Sequence, residues 1–184
     1  MKTNQLNSFR LAFAAVAGSL ILTSCGTTSS LQGAHGAALT STKKFSKVAV
    51  QDFKSSVSKE PERVSPAKVY FADRIATELK KRGKFSSVVR NAKPDANTIV
   101  IGGTITKYDE GSATKRMLLG MGFGMALFEA NVEFRDNKGA AIGSIKVDKN
   151  SWPLGGGLGA AQDPQGFMDG AAEKVAEEAA KLAR

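Results

Sequence analysis

From Phe128 to Phe134 apolar and polar residues alternate without a break, with Phe128, Ala130, Val132 and Phe134 on one side and Glu129, Asn131, Glu133 and Arg135 on or near the other. Successive side chains of a strand point to opposite faces, so this pattern specifies a strand with one buried and one wet face; a helix would repeat its apolar positions every three to four residues. Asp136-Asn137-Lys138-Gly139 then supplies turn residues, with Gly where positive φ is favoured, and Ala141 to Lys149 alternates again. The two runs predict an antiparallel hairpin, which must bury its apolar face against something else in the chain.

The remaining elements provide that cover. Lys47 to Phe53 (KVAVQDF) reads as a short buried strand from its β-branched valines. Ser65-Pro66 supplies an N-cap and a proline at the first helical position, and Val69, Ala72, Ile75, Ala76 and Leu79 recur at helical spacing up to Gly83. Phe85 to Arg90 and Thr98 to Tyr108 are further strands, with Gly102-Gly103 marking a bulge or a close approach of another backbone. Asp163-Pro164 repeats the cap-plus-proline start before a closing helix with a stripe of Phe167, Met168, Ala171, Ala172, Val175, Ala176, Ala179 and Leu182, supported by a Glu177 to Lys181 pair. The order β-α-β-β-β-β-α predicts a two-layer α/β sandwich, with both helices on one face of a mixed or antiparallel sheet.

Two glycine-rich segments stand apart. Met117 to Leu127 (MLLGMGFGMAL) is free of charge, with Gly120, Gly122 and Gly124 alternating with Met121, Phe123 and Met125. Its G-x-G-x-G spacing misses the dinucleotide fingerprint G-x-G-x-x-G, and it runs into a strand instead of a helix. Two readings stay open: a flat strand face against which another element packs closely, or an exposed apolar edge that docks on a partner, a second copy or a bilayer. Trp152 to Gly159 (WPLGGGLG) carries the lone tryptophan and reads as a loop, held by a buried Trp152 or presenting it as a contact. The candidate interaction residues are therefore Gly120, Gly122, Phe123, Gly124, Met125 and Trp152.

The N-terminus bears on location. Met1 to Arg10 contains Lys2 and Arg10 and no acid, and Leu11 to Leu22 is uncharged and mostly apolar. These are the n- and h-regions of a signal peptide, and the apolar run of about 12 residues falls short of the roughly 20 needed to span a bilayer. Leu22-Thr23-Ser24-Cys25 resembles the lipobox of bacterial lipoproteins, in which the cysteine is acylated and becomes the mature N-terminus after cleavage. A lone cysteine has no disulfide partner, which accords with that use of its thiol. The acyl chains would fix the protein to a bilayer, and Gly26, where inner-membrane lipoproteins of many Gram-negative bacteria resemble one another in having Asp, favours the outer membrane and a periplasm-facing domain. The expected organisation is a removed signal peptide over 1–24, a flexible Gly/Ser/Thr/Ala-rich tether over 25–44, and one α/β domain over 45–184.

Charge and chemistry narrow the function. The net charge is +9, of which Lys2 and Arg10 contribute two, leaving +7 after cleavage. Lys43, Lys44 and Lys47 form one cluster and Lys80, Lys81, Arg82 and Lys84 another at a helix end, where cations are stabilising. The export signal argues against nucleic acid as a partner. His35, the lone histidine, lies in the tether and Cys25 would be consumed by acylation, which removes the parts of a His-based acid/base, a Cys/His pair or a His-rich metal site. Carboxylates at Asp52, Asp109, Glu110, Glu129 and Glu133 remain, but Glu129 and Glu133 stand about 13 Å apart along their strand, too far for a retaining or inverting glycosidase pair. The expectation is a chain without enzymatic activity, cofactor or metal.

Through KVAVQDF, FADRIATELKKRGKFSSVV, IVIGGTITKYDEGS, the run Arg116-x-x-x-Gly120-x-Gly122-x-Gly124 and DNKGAAIGSIKV, the chain from about Lys47 to Arg184 resembles a family of bacterial lipoproteins known as domain-of-unknown-function family 4410. Its layout is also similar to the TolB N-terminal-like α/β fold of the penicillin-binding-protein activator lipoproteins and the curli secretion channel lipoprotein. The resemblance implies an envelope lipoprotein and supplies no catalytic residue. The leading expectation is a non-enzymatic module that binds or regulates another envelope protein. The alternative is a self-assembling or membrane-inserting module using residues 117–127, and an envelope enzyme is the third.

Overall fold

The computed structural model describes residues 26–33, 43–58, 61–112, 114–115, 118, 124, 126–150 and 163–184. Seven strands form one mixed sheet: β1 (Gly26–Thr28), β2 (Lys47–Val50), β3 (Lys54–Ser55), β4 (Ser87–Arg90), β5 (Thr98–Asp109), β6 (Leu127–Arg135) and β7 (Ala141–Asn150). The spatial order is β1-β7-β6-β5-β2-β4, and β3 extends β2's line along the far half of β5. Strands β4, β2 and β3 run parallel to β5 or to each other, whereas β5, β6, β7 and β1 pair antiparallel. Helices α1 (Pro61–Arg82) and α2 (Pro164–Ala180) pack on each other and together cover one face, which is the two-layer arrangement read from the sequence.

The β6 alternation is realised in full: Phe128, Ala130, Val132 and Phe134 are buried beneath the helices. Register carries the same face across the sheet, pairing Phe134 with Ile101, Val132 with Ile145 and Val50 with Ile101. Phe71 of α1 sits at the centre, its ring centroid 4.8 Å from Phe53 and 5.0 Å from Phe128. The predicted turn closes as expected: the Asp136 carboxylate accepts the N–H groups of Lys138 and Ala140, and Gly139 takes φ +86°. Asp163 caps α2, its Oδ1 accepting the Gly166 N–H at 2.7 Å.

Several details differ from the sequence reading. Helix α1 begins at Pro61, a turn before Ser65-Pro66, because Val64 and Ala67 extend the apolar stripe and are buried; Pro66 lies inside the helix with an exposed ring. Val69 is 46% exposed, and the core position on that turn belongs to Phe71. Lys181 pairs with Glu178 at 2.7 Å instead of with Glu177, since the helix ends at Ala180 and the chain turns there. At Gly102-Gly103 the close approach is the correct alternative: a Cβ on Gly103 would collide with the Asn131 carbonyl oxygen of β6 and stand 3.1 Å from the Phe53 ring, while the irregularity in β5 falls between Ile105 and Lys107.

The stretch read as a flexible tether contains a strand. Gly26, Thr27 and Thr28 pair with Lys149, Asp148 and Val147, and the zip continues through Ser29 to a bridge between Gln32 and Ser144. Leu31 is buried, and its N–H donates to the Glu178 carboxylate at 3.3 Å. Residues 26–32 therefore form a strap along β7 from Lys149 to Ser144.

The two ends of the sheet are unlike. At the upper end β5 finishes, β6 starts and β7 finishes, as the pairs Asp109 with Leu127 and Leu127 with Asn150 show. Gly26 and the N-termini of both helices share this end. The lower end holds the start of β2, the C-termini of both helices and the Asp136–Gly139 turn.

Candidate functional site

The β5–β6 connection, residues 110–126, joins the two strands at the upper end and contains most of the charge-free segment. Its stem is closed by the backbone. Gly111 takes φ +73° and donates its N–H to Asp109 Oδ1 at 2.7 Å, and the Ser112 N–H donates to the Gly124 carbonyl at 2.9 Å. Gly124 has φ +68°, and a Cβ there would lie 2.6 Å from the Ser112 carbonyl oxygen and 2.9 Å from Lys115 Cβ. Glycine is required at 124 by backbone conformation and by the close approach of Ser112 and Lys115. The flat-strand reading of Gly124 is thereby replaced: it sits at a bend outside any strand. The Ser112 hydroxyl accepts the Lys115 N–H at 3.2 Å, starting a short helical turn.

Leu118 is 76% exposed, the most exposed large apolar side chain among the described residues. Beside the stem lies an open cavity of about 930 Å³, bounded by Ser56 to Ser58, Arg63 and Val64 at the start of α1, Thr106 to Ser112, Lys115, Gly124 and Leu127. Its wall mixes apolar and polar groups. Tyr108 is held above its usual pKa, first by burial and then by the Glu110 carboxylate beside it. Lys149, on the helix-facing side of β7 at this end, has its pKa lowered by burial.

The carboxylates noted in the sequence do not converge. Asp52 pairs with Arg90, Glu129 with Lys107 at 2.7 Å and Glu133 with Arg135, while Asp109 accepts the Gly111 N–H. The Arg90 guanidinium beside Asp52 lowers the pKa of that carboxyl, in spite of an opposing effect of burial. Glu129 and Glu133 lie on the helix-free face, and a smaller cavity of about 310 Å³ there brings Glu133 and Arg135 near Gln51, Asp52 and Lys54. Among the described residues no three His, Cys, Asp or Glu side chains group closely enough to hold a metal ion, and no helix is long and apolar enough to cross a membrane.

Of the residues singled out in the sequence, Gly124 is placed at the stem of the upper-end connection. Gly120, Gly122, Phe123, Met125, Trp152, the lipobox residues Leu22, Thr23 and Ser24, and Cys25 lie outside the described residues. The β5–β6 connection and the β7–α2 connection nevertheless leave the same end of the sheet, and Gly26, next to Cys25, is there too. The sequence reading missed this convergence and the strap. Thr27 and Thr28, β-branched residues inside a Gly/Ser-rich stretch, were the available signal for the latter.

The family model described as a domain of unknown function (DUF4410) matches residues 37–155. No curated protein matches the chain. Among solved structures, a single-substitution PelC dodecamer from Paraburkholderia phytofirmans aligns with a TM-score of 0.52 at 18% identity, covering 86% of this chain and 98% of that one. A PelC dodecamer from the same organism in another space group aligns with a TM-score of 0.47 at 17% identity, covering 86% and 99%. At this identity the first likeness concerns the fold alone.

Proposed function

The chain belongs to the DUF4410 family, and from that premise we propose that it is an acylated lipoprotein of the bacterial envelope whose domain binds and regulates a protein partner and catalyses no reaction. Acyl chains on Cys25 would hold the domain at the outer membrane, facing the periplasm. The observation that carries the binding reading is Leu118, a large apolar side chain 76% exposed in the connection whose pinned stem borders a cavity. An apolar side chain left exposed gains nothing from folding and gains most from being covered by another surface.

A second reading is self-assembly through the same end. It is supported by the description of the first of the PelC structures as a dodecamer.

In-cell photocrosslinking of the full-length protein tests these readings, with the photoreactive residue at Leu118 or Phe123 and a control at Lys146 on the helix-free face. Capture of a different envelope protein from the first two positions supports the binding module, and capture of the same chain supports assembly. Equal capture from all three positions, or none, refutes both. Mass spectrometry of the mature N-terminal peptide tests the anchor separately: an unacylated Cys25 rules it out.

A further inference from the structure

Both basic clusters of the sequence lie at the lower end of the sheet, and the fold joins them into one surface. The Ser86 N–H donates to the Ser46 carbonyl at 2.8 Å, which ties the turn after α1 to the lead-in of β2. Lys44 Nζ donates to the Lys181 carbonyl at 2.6 Å, so the same lead-in meets the end of α2. Lys43 is near enough to Asp136 to help lower its pKa, which brings the β6–β7 turn and its Lys138 to the same surface.

The carboxylates at this end are already engaged. Asp95 is taken by Lys47 at 2.7 Å and by the Thr98 hydroxyl, and Asp136 by the N–H groups of Lys138 and Ala140. Glu78 pairs with Lys81, Glu177 with Lys174, and Glu178 with Lys174 and Lys181. Lys80, Lys84, Lys138 and Arg184 have no carboxylate partner among the described residues and are exposed. The carbonyl ends of two helices offset part of this charge. They do not account for Lys84 or Lys138, which lie outside the helices.

We propose that this lower end is a docking surface for an extended polyanion of the envelope, a polymer bearing repeated carboxylates. Most of its cations are lysines, hydrated point charges on flexible stems, which suit a repeating anion better than the fixed fork that arginine offers to a single carboxylate. The site faces away from the point of attachment. Gly26 is paired to Lys149, so the chain leaves toward Cys25 at the upper end, roughly 30 Å from the lower end along β7 at about 3.3 Å per residue. That is several times the Debye length of about 8 Å in physiological salt, so the leaflet holding the acyl chains exerts little pull there.

This orientation, though not the surface itself, rests on acylation at Cys25. The test uses the acylated protein in neutral phosphatidylcholine nanodiscs, with fluorescent poly-L-glutamate read by anisotropy in 50 and 150 mM salt. Retention in the nanodiscs reports on the anchor independently of polymer binding, which can be repeated in detergent micelles. The double variant Lys80→Glu with Lys138→Glu is expected to weaken binding at least tenfold and flatten its salt dependence. Lys54→Glu with Lys146→Glu, an equal change of net charge on other surfaces, is expected to weaken it less than threefold. Unchanged circular dichroism qualifies each variant. Equal losses in both pairs, or no binding by the parent, overturn the inference. Capture of phosphatidylglycerol vesicles through Lys80 and Lys138 without polymer binding overturns it in favour of a second bilayer.

Discussion

Two adjacent glycines in β5 should respond oppositely to the same substitution. In Gly103→Ala the added Cβ meets the Asn131 carbonyl group of the neighbouring strand, with its carbon 3.0 Å away and the Phe53 ring 3.1 Å away on the other side. Neither neighbour is the free end of a flexible side chain. The position also has φ +150°, where an L-residue is strained by about 1–3 kcal/mol. Overpacking of a close-packed interior adds about 1–3 kcal/mol, so the total is roughly 4 kcal/mol. For a domain of this size each kcal/mol moves Tm by about 3 °C, giving a fall of roughly 12 °C. In Gly102→Ala the nearest atom is Gln51 Cβ at 3.4 Å, an ordinary contact. Reducing the freedom of the unfolded chain should then leave Tm unchanged or raise it by about 1–3 °C. Thermal and urea unfolding of the two variants gives the comparison. A Gly103→Ala protein within about 3 °C of the parent, or two variants equally destabilised, would refute the assignment of the close approach to Gly103.

The strap should be sensitive to acid. Burial opposes ionisation of Glu178, but hydrogen bonds from Lys181, Lys174 and the Leu31 N–H outweigh it and leave the folded pKa below the ordinary value. Its contribution is therefore complete above the unfolded pKa of about 4.3 and is lost as pH falls through the folded value. Protection factors for hydrogen exchange at Gly26–Gln32 should fall across that window, and Glu178→Gln should lower them already at pH 7; unchanged protection in the variant would show that the carboxylate does not hold the strap. Asp95, with a pKa lowered to about 2 by Lys47, Thr98 and the Asn97 N–H, should titrate near that value by carboxyl NMR and move upward in Lys47→Ala. An unmoved midpoint would place the cause elsewhere. Gly124→Ala should increase proteolysis within 110–126 while shifting Tm by less than about 3 °C, because the stem lies beyond the last β5–β6 pair; a large global loss would mean that the stem belongs to the core.

The hairpin and α2 were legible because every local signal agreed: alternation, turn residues, cap and stripe all specified the same elements, and the structure buries the residues so identified. Helix α1 was legible in kind and misread at its start, where two prolines five residues apart both fit a first turn and only the burial of Val64 and Ala67 decides between them. At Gly102-Gly103 the sequence marked the position but left the cause open, since a bulge and a close approach both call for glycine. Residues 26–33 were missed because their polar composition is that of a linker. What orders them is long-range: the unpaired edge of β7 and the Glu178 carboxylate, neither visible from the segment itself. The same limit applied to the basic clusters, which lie some 40 residues apart in the chain and become neighbours through parallel pairing of β2 with β4.

Strand β1 also imposes a timetable. Gly26 finds its partner at Lys149, so closing that contact means joining chain positions 123 residues apart, and no part of the strap can dock until β7 has been made and the hairpin has formed. During export the N-terminal residues would emerge first and wait longest. The acylation proposed for Cys25 would fall within that interval, before the finished sheet takes up the residues just beyond it.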